Sequence, residues 1–205
     1  PDKWSSTDGG SAYFDGTGDY LTVADSADFD LASAWTFETW VYPTNLGSGF
    51  NSFYQVGVDS SNGFVIDMSN GGSTPRFLYH ASNSWQSFSS TIAVAKNAWS
   101  HISVTWDGSN YKMFVNGAQA QNSTSSAAIT NPTTGVQVGR ATIAGGAHRY
   151  FTGWMADTHF IKGTAKYTSA FTPSTSLITN DSNTKLKLNF SQAGIFDTSA
   201  NHSLK

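Results

Sequence analysis

Of the fourteen acidic side chains in the 205 residues, only Glu38 is a glutamate. Hydrolysis of a glycosidic bond generally uses a pair of carboxyls roughly 5 to 9.5 Å apart, and any reaction that needs two glutamates is excluded by arithmetic. In an extended strand Glu38 shares its face with Thr36, Trp40 and Tyr42, and no acid stands at position 36 or 40. A structural or surface hydrogen-bonding role is therefore the reading adopted for Glu38. His101 alternates against Ile102 and Val104, which marks it as a hydrogen-bonded structural histidine. The other histidines, His80, His148, His159 and His202, lack the i, i+4 spacing of a transition-metal site. There is no G-x-S-x-G nucleophile elbow, no Gly-Lys dipeptide for a phosphate loop, and no cysteine to serve as nucleophile, zinc ligand or disulfide partner.

Binding chemistry is better represented than catalysis. Seven Trp, eight Tyr and fourteen Phe exceed what strand alternation must bury, so some rings should face solvent, where an aromatic face can stack on the apolar face of a pyranose. Phe50, Tyr54, Tyr79, Trp85 and Tyr150 stand among polar neighbours, as loop or edge aromatics do. Trp85, in ASNSWQSFSS, is the most isolated from apolar residues, and Arg149 beside Tyr150 offers a clamp for an acidic sugar. The competing reading of each ring is a cap on the edge of the core. Early aspartates, at 15, 19, 25, 28 and 30, supply hard oxygen ligands of the kind calcium takes. They also suit turns, in which an aspartate accepts from its own backbone.

The elements that must position these residues are strands. Apolar runs are short, rich in β-branched and aromatic residues, and broken by Gly, Asn, Asp and Ser, with no sustained helical stripe. Strands are expected over 11–14, 20–23, 36–42, 53–58, 64–68, 76–79, 100–106, 111–115, 135–139, 151–161 and 185–190. Asp107–Gly108 and Asn116–Gly117 mark consecutive hairpins. Segments 122–134 and 141–148 read as loops. No internal repeat of 20–50 residues is present, so the expected architecture is a single all-β domain, a two-sheet antiparallel sandwich.

A net charge of −3, with eleven Lys plus Arg, gives no footprint for a nucleic-acid backbone. No apolar run approaches the roughly 18 residues of a membrane span. Low charge with much Ser, Thr, Asn and Gly leans towards an extracellular or virion-surface location, and the Pro1-Asp2-Lys3-Trp4 start is read as that of an excised or processed segment.

Six segments in order carry a resemblance: FDGTGDYLTV (14–23), WTFETWVYP (35–43), WSHISVTWDG (99–108), YKMFVNG (111–117), VQVGR (136–140) and FTGWMADTHFIKGTAKYTSAFTP (151–173). Together they resemble laminin-G-like, concanavalin A-like jelly-roll domains, of the type found in tailed phages and marine microbial surface proteins. The resemblance implies two antiparallel sheets face to face, used chiefly to bind glycans or proteins and sometimes to cleave polysaccharides. It also implies a structural calcium ion near the FDG turn and a late-strand acid, here Asp15, Gly16 and Asp157. The tail, 191–205, either closes this sandwich or begins a following domain. The expected function is a non-catalytic, lectin-like recognition module that binds a glycan through Trp85, Tyr79, Tyr54, Arg149 and Tyr150, alongside other domains of a larger surface or virion protein. The alternative is a structural or decoration domain that binds no sugar. Weak charge and short edge strands leave oligomerisation open.

Overall fold

A computed structural model describes residues 1–4, 9–47, 49–57, 61–125, 127–191, 197–199 and 202–204. The strands, in chain order, are β1 (Ala12–Asp15), β2 (Leu21–Val23), β3 (Trp35–Pro43), β4 (Asn51–Val56), β5 (Phe64–Met68), β6 (Pro75–Ala81), β7 (Ser84–Ser89) and β8 (Ser100–Trp106). They continue as β9 (Asn110–Val115), β10 (Ala118–Thr124), β11 (Val136–Val138), β12 (Arg140–Thr142), β13 (His148–Tyr150), β14 (Thr152–Lys162) and β15 (Thr184–Leu188). A seven-stranded sheet runs β1-β14-β3-β8-β9-β10, with β15 also paired to β14, and a six-stranded sheet runs β2-β11-β4-β5-β6-β7. Every pairing is antiparallel, and the two inner faces enclose one core in which Trp35 stacks on Phe64 at 4.9 Å. This is the expected sandwich.

Local chemistry explains the connections. The β9–β10 turn places Asn116 at φ 50° and Gly117 at φ 78°, the left-handed pair that a tight hairpin requires. The β8–β9 turn is held by Asp107, whose Oδ1 accepts from the backbone N–H of Ser109 and of Asn110 at 2.8 and 2.7 Å. On β14, β1 pairs with residues 152–155 and β15 with 158–161. Asp157 falls in the gap between them, at φ 48°, where the register to β3 also shifts.

The strand pattern differs from expectation at the polar elements. β7 and β10 are edge strands rich in Ser, Gln and Asn, so the 122–134 segment read as loop begins inside β10. Segment 141–148 likewise overlaps the small β12–β13 hairpin. Val58, the end of one expected strand, lies outside the described residues.

A long irregular segment, residues 163–183, straps across the outer face of the seven-stranded sheet. Its backbone is tied to sheet side chains: Thr36 Oγ1 donates to Thr164 O at 2.9 Å, and Thr105 Oγ1 to Tyr167 O at 2.9 Å. Phe171 N donates to Gly117 O at 2.9 Å, and Tyr167 stacks flat on Phe171 with centroids 3.6 Å apart. The described part of the tail lies against the same sandwich, with Leu204 bridging Val23 and Asp197 bridging Leu188.

Candidate functional site

On the six-stranded sheet alternation sends Phe64, Ile66, Phe77 and Tyr79 into the core and leaves Val65, Asp67, Arg76 and Leu78 on the outer face. Trp85, on edge strand β7 opposite His80, adds a half-buried indole to that face, edge-on to the His80 ring at 5.5 Å. The β12–β13 hairpin folds beside it and brings Arg149. The result is a cavity of about 210 Å³ lined by Gln55, Val65, Leu78, Trp85, Thr142, Ile143 and Arg149. Gln55 is a wall rather than a free contact, because its amide donates to Thr142 O at 2.9 Å and accepts from Thr142 N at 2.7 Å.

Arg149 is held from two sides. Its guanidinium lies 3.7 Å from the Phe50 ring centroid and donates to Asp67 Oδ2 at 3.3 Å. Asp67 is fully buried and is also gripped by Arg76, through Nε at 2.9 Å and Nη2 at 2.7 Å. Burial pushes the Asp67 carboxyl above its ordinary range, with both arginines opposing the shift. Burial also lowers Arg149, against the pull of Asp67. Arg149 walls a second, more polar cavity of about 390 Å³ at the sandwich end, which includes Gly16, Phe50, Asn51, His148 and Tyr150. Of the residues nominated from sequence, Trp85, Arg149 and Tyr150 thus line one pair of adjoining cavities.

Tyr54 and Tyr79 do not belong there. Tyr54 is 0% exposed and packs on Phe37 at 4.2 Å, and Tyr79 is 4% exposed and packs on Tyr111 at 4.6 Å. Both point inward because Tyr54 shares the phase of Val56 on β4 and Tyr79 that of Phe77 on β6.

The calcium ligands implied by resemblance are not brought together. Asp15 pairs with Thr152 at one end of β14, five residues from Asp157 and so about 16 Å away at strand rise. Asp15 Oδ1 instead accepts from Thr17 N at 2.6 Å, a turn contact, and a Cβ on Gly16 would meet Thr152 Oγ1 at 2.3 Å. Asp157 is buried, with Oδ2 accepting from Ile178 N at 2.9 Å on the strap. Its Oδ1 has no hydrogen-bond partner among the described residues and lies 4.0 Å from Lys187 Nζ. These residues do not fit one ion. Among the described residues no group of three or more His, Asp or Glu is placed to hold a metal.

Glu38 is the centre of a buried polar cluster that sequence reasoning did not assemble. Oε2 accepts from Tyr167 OH at 2.7 Å and faces His101 Nε2 at 3.2 Å; Oε1 accepts from Lys166 Nζ at 2.8 Å and faces His159 Nδ1 at 3.2 Å. Burial alone would raise this carboxyl, but the hydrogen bonds of His101 and His159 and the charges of His101 and Lys166 hold it well below its ordinary value. Burial and the Glu38 charge push the Tyr167 hydroxyl far up. Beneath the strap, Glu38 and His101 are both buried.

A family model described as the concanavalin A-like lectin/glucanases superfamily, of the laminin G type, matches residues 15–191. Among curated proteins, no sequence matches the chain. Solved structures of similar fold include a proposed carbohydrate-binding protein of Bacteroides ovatus, with TM-score 0.73 and 14% identity over 97% of this chain and 60% of that one. The chain thus spans about three fifths of that protein's length. The carbohydrate-binding module of a Ruminococcus gnavus sialidase, bound to α2,3-sialyllactose, gives TM-score 0.54 and 12% identity over 76% of this chain and 90% of that one. The enzymatically active domain of bacteriophage CBA120 tailspike protein 2 gives TM-score 0.59 and 12% identity over 79% of this chain and 26% of that one. At these identities the likeness concerns the fold. With a match running from the FDG turn to the end of the last strand, the chain belongs to the concanavalin A-like lectin/glucanases superfamily.

Proposed function

We propose that this domain is a non-catalytic carbohydrate-binding module of an extracellular or virion-surface protein, and that it holds its glycan on the outer face of the six-stranded sheet. The observation that carries the reading is the adjoining pair of cavities walled by Arg149, with Trp85 in one and Tyr150 in the other. An indole gives a sugar ring an apolar face to stack on, and a fixed guanidinium gives bidentate donors to its oxygens. The carbohydrate-binding proteins of like fold support the class of ligand. A lone buried glutamate committed to four neighbours supports binding without hydrolysis.

A glycan array on the purified domain, followed by titration of the best binder, tests this. Trp85→Ala is expected to weaken affinity at least tenfold, about 1.4 kcal/mol, while leaving the melting temperature nearly unchanged, because the ring lies on an exposed edge strand. A blank array from folded protein would overturn the reading and favour a structural or decoration role. Repeating the titration with millimolar calcium and with chelator tests the cation. Affinity that depends on calcium would show that an ion takes part in binding.

A further inference from the structure

The opposite face of the sandwich carries a second concentration of aromatic rings. On β3, Trp40 and Tyr42 point outward two residues apart, about 7 Å at strand rise. From Tyr42 the rings continue across the sheet to Trp154 at 5.6 Å and on to Tyr13 at 4.5 Å, where Tyr13 is 50% exposed. In the other direction Trp40 meets Trp4 edge-on at 6.0 Å. Here a cavity of about 590 Å³ opens between the N-terminal segment and the strap, with Lys3, Trp4, Trp40, Asn116, Thr175 and Leu177 in its walls. The Lys3 ammonium lies 3.9 Å from the Trp40 ring centroid and 4.7 Å from that of Trp4. It makes no ion pair among the described residues. Burial lowers its pKa, so this cation is partly desolvated, with no carboxylate paired to it among the described residues.

We propose that the outer face of the seven-stranded sheet is a second glycan-binding face, suited to an acidic polysaccharide whose carboxylate pairs with Lys3 while neighbouring sugar rings lie along Trp40, Tyr42, Trp154 and Tyr13. The charge argument selects the ligand. A neutral chain would leave the ammonium unpaired, and a cationic one would be repelled by it. A run of rings leading away from one charged end favours a polymer over a single sugar. The two faces lie on opposite sides of a sandwich, so one chain need not touch both.

The test is calorimetric titration of the full chain with oligogalacturonate and with a neutral galactan oligosaccharide, on wild type, Trp85→Ala, Lys3→Met and Tyr13→Ala. Lys3→Met keeps an apolar stem over Trp40, and Tyr13 is exposed enough to truncate without unfolding. Expected is oligogalacturonate binding that survives Trp85→Ala, falls about tenfold in Lys3→Met with a flatter salt dependence, and falls severalfold in Tyr13→Ala. Oligogalacturonate binding that is unchanged in Lys3→Met and Tyr13→Ala, or abolished by Trp85→Ala alone, would overturn the second face. Equal loss of galactan and oligogalacturonate in Lys3→Met would overturn its preference for acid. The Trp85 site stands or falls on a different titration, that of the array's best binder with Trp85→Ala, so the two proposals fail separately.

Discussion

A single carboxylate with four neighbouring donor groups has a measurable signature. Replacing Glu38 with Gln leaves the shape but removes the charge that Lys166 faces and puts an N–H₂ where an acceptor stood. Breaking a buried ion pair from one side costs about 3–5 kcal/mol, and a loss of that order is expected in urea denaturation of Glu38→Gln. The pH dependence has a definite sign. Because the folded value is depressed, the stabilisation from Glu38 is fully present above its ordinary value of 4.5 and is lost as the pH falls through the folded value. Stability of the wild type should therefore drop steeply in acid, and Glu38→Gln should flatten that slope; an unchanged slope would refute the assignment. The sequence made visible that Glu38 had no acidic partner in its strand. It did not reveal the cluster, whose members His159, Lys166 and Tyr167 lie 121, 128 and 129 residues away. At Trp85 polar flanks go with a half-buried ring on an edge strand. At Tyr54 and Tyr79 similar flanks misled, because the strand phases set by Val56 and Phe77 decided burial.

Among elements, the strap has the least regular structure and the most consequence for what the seven-stranded sheet can do. It covers Phe114, His101 and Glu38 with Tyr167 and Phe171, and one of its anchors is the β9–β10 turn. A Cβ on Gly117 would sit 1.9 Å from Phe171 O, and the residue has φ 78°. Gly117→Ala thus strains the hairpin and pushes the strap away together, at an expected cost of about 1–3 kcal/mol. Hydrogen exchange at the Phe171 amide should accelerate in this variant while amides in the six-stranded sheet keep their protection. Uniform acceleration across both sheets would mean that the strap is not a separate unit. Most strands could be read from sequence because buried strands are apolar. The strap could not, since segment 163–183 is fixed by side-chain bonds to strands distant in sequence rather than by any local period. β7 and β10 were hard to read for a related reason: sheet edges face water and are written in Ser, Gln and Asn.

For the molecule as a whole, the all-β class and sandwich follow from patterning alone, whereas which side chains share a cavity depends on strand order. Trp85 and Arg149 are 64 positions apart in sequence and become neighbours only because the β12–β13 hairpin folds over the six-stranded sheet. Strand order also brings early and late segments of the described chain together. Gly10 N donates to Asn189 O at 3.0 Å, and Leu204 bridges Val23. Segments from early and late in the described chain are thus held in the same two sheets. Proteolytic nicking at the exposed Ser82–Asn83 turn should therefore leave both sheets assembled, as hydrogen exchange of the nicked protein would show.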